Sequence, residues 1–278
     1  MVEPTQSRTA PAPMPPGPPR RYVARLVLAG ALIVTGLVLV LTIGITRDDP
    51  EPEPPQPEFV VPQLKPPPGA TAPRPALAAP EDRPKASDEA ALDAWSKRIT
   101  RIIQVPARVL AAYGRAEMWM RSDRPGCKLS WVTLAGIGRV ESQHGHFNGA
   151  EVGADGRLTK PIVGPVLDGS PGVQAVRDTD GGRLDGDATW DHAVGPMQFL
   201  PATWQRWAAR ANGDGNPADP QNIDDSALTA ARYLCSGGAD LSTPDGWWGA
   251  VLTYNQSVAY GQEVFSGADA YAAANPPA

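Results

Sequence analysis

Prolines divide this chain in two. Residues 1–86 hold 20 of its 32 prolines and none of its eight tryptophans. That stretch therefore lacks both the backbone donors and the large apolar side chains from which a packed core is built. From about Ser87 onward the chain carries every tryptophan and both cysteines. These roughly 190 residues are enough for one domain with a substantial core.

The first part has one interruption. Leu26 to Ile45 reads LVLAGALIVTGLVLVLTIGI, 20 residues without a charge, a length that matches the ~30 Å hydrocarbon layer of a bilayer. Arg20, Arg21 and Arg25 precede it, and Asp48 and Asp49 follow it. The positive-inside bias then predicts a disordered cytoplasmic tail over 1–25, a transmembrane helix over 26–45 and an extracytoplasmic remainder. A cleaved signal peptide is the competing reading. Against it, the run exceeds a usual signal core, no Ala-x-Ala site follows, and no cysteine follows Leu28-Ala29-Gly30 as a lipoprotein signal requires. Residues 46–86 are Pro-, Ala- and Glu-rich, a composition that favours polyproline II over folding. About 38 such residues reach ~120 Å at ~3.1 Å each, which makes a semi-stiff linker; a tether of no preferred reach is the alternative.

Residues 87–278 read as mainly α. Ser87 caps a helix over EAALDAWSKRITRII, Val105-Pro106 breaks it, and PARVLAAYGRAEMWMRS forms a second with proline at its start. Ser130 caps a third helix that ends at Glu141-Ser142. After Gly145 a glycine- and aspartate-rich stretch runs to about Asp191 without helical or strand period, so loops with a short hairpin are expected. Helices follow over Pro201–Arg210, Asp225–Leu234, Gly246–Tyr254 and Gln262 to about Ala274. Trp204, Trp207, Trp247 and Trp248 could stack on sugar faces, but Trp204 and Trp207 share a helical face, which favours core packing. Cys127 and Cys235 lie in the outward part, where a disulfide is permitted, and neither has the histidine spacing of a zinc site.

Glu141 breaks the pattern of its helix. Leu134, Ile137 and Glu141 fall on one face, at helical spacing, so the carboxylate points toward a core or a cleft floor. It also lies in the last turn, where the helix dipole disfavours an anion. Burial and dipole both raise a carboxyl pKa, and a carboxylic acid still protonated near neutrality is what a general acid needs. The bland alternative is that Glu141 snorkels outward or pairs with Arg139.

Four fragments belong with it: Glu141-Ser142, Gly195-Pro196-Met197-Gln198-Phe199, Ala230-Ala-Arg-Tyr233-Leu and Thr253-Tyr254-Asn255. Their order resembles the lytic murein transglycosylases, in particular the membrane-bound B-type branch, from about Pro106 to Tyr271. No fragment is specific alone; Gly-Pro-Met-Gln-Phe-Leu-Pro-x-Thr-Trp in order with the others carries the likeness.

The resemblance implies a lysozyme-like α domain with long irregular loops and a cleft for glycan strands of peptidoglycan. It implies cleavage of the β-1,4 bond between N-acetylmuramic acid and N-acetylglucosamine with formation of 1,6-anhydro ends. Glu141 matches the family's single acid/base. Ser142, Gly195, Pro196, Met197, Gln198, Phe199, Tyr233, Tyr254 and Asn255 are then candidate substrate-binding residues. A tight Gly-Pro turn approaches a sugar closely, and amides and phenols suit hydroxyl and acetamido groups. Packing readings stand beside these: Ser142 as a helix C-terminal hydroxyl, Met197 and Phe199 as core, Tyr233 likewise.

Glycosidases ordinarily use two carboxylates, and no second acid adjoins Glu141. Asp178, Asp185 and Asp191 are the candidates for a hydrolase; they equally suit a run of Asx-turns. A non-catalytic wall-binding module is a third reading. No cofactor is expected to be required. Asn212, Asp214 and Asn216 have the alternate-oxygen spacing of a calcium loop, but Arg210 and Gln221 occupy its first and twelfth positions, where acids are wanted. His144 and His146 read as surface or cleft-rim residues. The net charge of −5 excludes nucleic acid as a natural partner.

Overall fold

The computed structural model describes residues 86–274, in which seven α-helices enclose one core. The tail, the expected membrane helix and the Pro-rich linker lie outside the described residues. Among the described residues, no helix is long and apolar enough to cross a membrane.

The first helix, α1, spans Ala86–Ile103 and buries Leu92, Trp95 and Ile99, a single stripe at helical spacing. It begins one residue before the expected cap, so Ser87 lies within it. Pro106 breaks the chain as expected, and α2 follows over Ala107–Asp123. This helix is the hub: it packs against α1, against α3 (Trp131–Ser142) and against α5 (Ile223–Leu234). The third helix is apolar nearly all round, with every residue from Trp131 to Gly138 buried. Such a helix belongs in the middle of a fold. It crosses α7 (Val258–Ala274) so closely that a Cβ on Gly136 would stand 2.6 Å from the Val264 carbonyl oxygen.

Helix starts and caps depart from the sequence reading in several places. Ser130 holds the cap position of α3, but its side chain makes no capping bond. The buried Glu117 on α2 accepts the Trp131 N–H instead, at 2.7 Å. The fifth helix starts at Ile223, with Asn222 accepting from the Asp224 N–H. Helix α6 spans Pro244–Tyr254, with Thr243 accepting from the Gly246 N–H, and α7 begins at Val258 rather than Gln262. Helix α4 is shorter than expected, Pro201–Trp207.

A disulfide joins Cys127, in the 3-10 turn after α2, to Cys235 at the end of α5, with Cα atoms 5.5 Å apart. The stretch between α3 and α4 holds only isolated antiparallel bridges, among them Val163 with Val194, Arg177 with Trp190 and Asp168 with Ala175. Its aspartates do turn work. Asp178 accepts the N–H groups of Asp180, Gly181 and Gly182, Asp185 accepts those of Asp187 and His192, and Asp191 accepts from Thr179.

Candidate active site

Leu134 and Ile137 on α3 are fully buried, and one turn further along the same face Glu141 emerges into a cleft of about 750 Å³. The chain then leaves the helix through three left-handed residues, Gln143, His144 and Gly145. Arg139 pairs with Glu263 on α7 at 3.1 Å, which leaves Glu141 without the ion pair that the bland reading offered it. Its partner is Tyr260 in the first turns of α7, whose hydroxyl donates to Oε1 at 2.6 Å.

Burial pushes the Glu141 carboxyl up to about 7, and the Tyr260 hydrogen bond pulls the other way. Glu141 can therefore give a proton at neutral pH and take one back. Among the described residues that line the cleft it is the only carboxylate, and no lysine, arginine or histidine lines it.

The Gly195–Phe199 fragment is a tight turn. Val194 and Phe199 exchange backbone hydrogen bonds across it, and Gln198 N–H donates to the Gly195 carbonyl. Gly195 has φ 79, and a Cβ there would stand 1.9 Å from the Pro220 carbonyl oxygen, so only glycine fits. Two hydroxyls pin the turn to the helices: Ser142 Oγ donates to the Pro196 carbonyl at 2.6 Å, and Tyr254 donates to the Met197 carbonyl at 2.7 Å.

The candidate residues thus separate into two sets. Gln198, Tyr233, Tyr254 and Asn255 line the cleft with Glu141. Ser142, Gly195, Pro196, Met197 and Phe199 are buried and absent from its lining. The structure does not bring these five to the cleft lining; Ser142 Oγ and the Pro196 and Met197 carbonyls hold the turn against α3 and α6. Gln198 anchors its Nε2 on the Gly195 carbonyl at 2.9 Å, which presents Oε1 as the acceptor. Asn255 uses Oδ1 to accept the Ser257 N–H, which presents its Nδ2 as the donor. Beneath them runs a chain of rings, Trp207 to Tyr233 to Tyr254 to Phe199 to Trp204, with centroids 5.5 to 5.9 Å apart. Trp204 is core, as expected, and so are Trp247 and Trp248; Trp207, expected to pack with Trp204, is only partly buried and lines a neighbouring hollow.

Tyr260 was not legible in advance, since a tyrosine in an apolar helix reads as core and its partner lies 119 residues away. Pro165, Leu167 and Gln174 from the long loop also line the cleft without a local signal.

The other expected groups lie elsewhere. Asp178, Asp185 and Asp191 do not line the cleft, and Asp191 is fully buried. Ligand oxygens of Asp178, Asp180 and Asp191 lie within 4.8 Å of one another, but backbone N–H groups already engage each carboxylate. In the Asn212–Asn216 loop both Asp214 oxygens accept from the Arg210 guanidinium, at 3.0 and 2.8 Å. A calcium ion would have to displace that internal cation, so these residues fit calcium poorly. His144 is not a rim residue. It is buried between the hydroxyls of Tyr113 and Tyr271, and burial pushes it down to about 4. His146 is exposed.

No protein-family model, curated protein or solved structure matches this chain.

Proposed function

We propose that the protein is a peptidoglycan lytic transglycosylase with a lysozyme-like domain, held to the membrane by Leu26–Ile45. One observation carries this reading: Glu141, whose carboxyl burial pushes up to about 7, is the lone carboxylate among the described residues that line its cleft. A hydrolase needs another carboxylate, as nucleophile or as base for water, some ~5–9 Å away. Asp178, Asp185 and Asp191 are committed to loop hydrogen bonds and do not face the cleft, which disfavours that mechanism.

An internal nucleophile removes the need for the second acid. Protonated Glu141 gives its proton to the glycosidic oxygen as the bond from the muramic acid anomeric carbon breaks. The sugar's own 6-hydroxyl oxygen then bonds to that carbon and returns its proton to Glu141. The product is a 1,6-anhydro ring, and the enzyme ends as it began. Attack within one sugar has an effective molarity of ~10⁵ M or more, so no positioned water is required. Tyr260 orients the carboxyl and stabilises its anion between the two transfers. Gln198 and Asn255 offer an acceptor and a donor to hydroxyl and acetamido groups. No cofactor enters the chemistry.

Mass spectrometry of purified peptidoglycan after incubation with the protein tests this. Fragments ending in 1,6-anhydromuramic acid, absent with Glu141→Gln, are expected. Reducing ends one water heavier would refute the mechanism in favour of hydrolysis. Retained glycan binding without any product would favour a scaffold.

A further inference from the structure

The cleft does not end at Tyr233. A second hollow, of about 430 Å³, shares Thr203, Tyr233 and Thr253 with it and continues along α4 past Arg206 and Trp207. The two hollows differ in charge. The first has Glu141 and no basic residue; the second has the Arg206 guanidinium and no acid.

Arg206 is exposed, and none of the ion pairs among the described residues includes it. Its guanidinium lies over the Trp207 ring at 5.2 Å, and that ring packs on Tyr233 at 5.9 Å. The neighbouring arginines behave otherwise. Arg210 is held by Asp214 and Asp225, and Arg232 donates to the Ala208 carbonyl. Arg206 is thus held near the Trp207 ring by a cation–π contact while no carboxylate among the described residues pairs with it, which leaves a guanidinium suited to a carboxylate ligand. The Arg206 charge reaches into the wall between the hollows: burial raises the Tyr233 phenol, and Arg206 opposes that rise.

We propose that the hollow around Arg206 is an anion subsite that adjoins the cleft and binds a free carboxylate on the peptide stem of a glycan strand lying in it. The inference rests on the glycan-strand reading above and adds a preference to it: strands with free stem carboxylates bind more tightly than strands without them. The sugar sits by Glu141, Gln198 and Asn255, where uncharged polar groups meet hydroxyls. The stem crosses Tyr233, and its carboxylate meets the one basic group of the second hollow.

The test is co-sedimentation of full-length Glu141→Gln protein with purified sacculi, either intact or with their carboxylates converted to primary amides. Binding to intact sacculi is expected to be about two- to fivefold tighter, the upper part of the range for an exposed ion pair. Adding Arg206→Gln should abolish the difference, and Arg206→Lys should keep part of it. Bulk electrostatics predicts the opposite sign, because a chain of net charge −5 should bind a neutralised wall more tightly. Equal binding to both sacculi, no binding to either, or a difference that survives Arg206→Gln overturns the proposal. Product analysis of the unsubstituted protein runs in parallel. Absence of anhydro ends there would overturn the transglycosylase mechanism alone, since the sedimentation comparison uses no turnover.

Discussion

Replacing Glu141 by glutamine should make the protein more stable, by an amount that grows as pH rises from about 4.5 to 7 and stays at its full value above that. Its carboxyl is raised from 4.5 to about 7, chiefly by burial. At ~1.4 kcal/mol per pH unit that displacement amounts to about 3 kcal/mol, an upper figure for a group that opens onto a cleft. The sign follows from proton uptake. Below about pH 4.5 folded and unfolded chains both hold the proton, and Glu141 contributes nothing to the pH dependence. Between 4.5 and 7 the folded state binds more protons than the unfolded state, so stability falls as pH rises. Above 7 the carboxylate is ionised in both states and the full cost is present. Glutamine is neutral throughout, nearly isosteric, and keeps an oxygen to accept from Tyr260. Urea unfolding of both proteins at pH 4.5, 6 and 8 reads this directly. Near-equal stability is expected at pH 4.5 and a gain of up to about 3 kcal/mol for Glu141→Gln at pH 8. In melting temperature the gain at pH 8 is roughly 6–12 °C for a domain of this size. A difference that does not change with pH, or a loss at pH 8, would refute the claim that burial raises this acid.

Three further outcomes are expected. Tyr260→Phe removes the donor that stabilises the Glu141 carboxylate, so the acid should titrate above 7 and the alkaline limb of the pH–rate profile should move upward; an unmoved limb would remove Tyr260 from the site. Replacing Cys127 and Cys235 together by serine opens a loop of sequence separation 108. Chain entropy puts the loss at about 4–5 kcal/mol, so a fall in melting temperature of less than ~3 °C would contradict the structural role of the bond. Gly195→Ala forces a Cβ to within 1.9 Å of the Pro220 carbonyl oxygen at φ 79, and a destabilisation of about 3 kcal/mol or more is expected in urea unfolding.

What could be read in advance was what is local in the chain. The α3 face of Leu134, Ile137 and Glu141 follows from helical period alone, because burial of the first two drags the third toward the cleft. The aspartate loop was legible as turns, because an Asx-turn closes over two to four residues, as Asp178 does with Asp180, Gly181 and Gly182. The cap position of α3 was read correctly at Ser130, but not the side chain that serves its first N–H. Ser130 has the right chemistry in the right place but makes no side-chain cap bond, and Glu117, brought in by packing of α2, accepts the Trp131 N–H. Tyr260 and Arg206 were missed because each acquires meaning only from what another helix places beside it.

The same distinction separates two sorts of residue within one motif. Gly195, Pro196, Met197 and Phe199 build a five-residue turn around Gln198, and only Gln198 of the five lines the cleft. Nothing in residue type reveals which member faces out; the left-handed φ of 48 at Gln198 does, since it turns that side chain away from the packed face taken by its neighbours. It follows that substitutions across this motif should divide by readout. Gly195→Ala should fail in unfolding measurements, whereas Gln198→Ala, like Asn255→Ala on the opposite wall, should keep its melting temperature within ~2 °C and lose turnover on polymeric glycan. An unfolding defect in Gln198→Ala with unchanged turnover would mean that the turn, and not its exposed amide, is what the motif preserves.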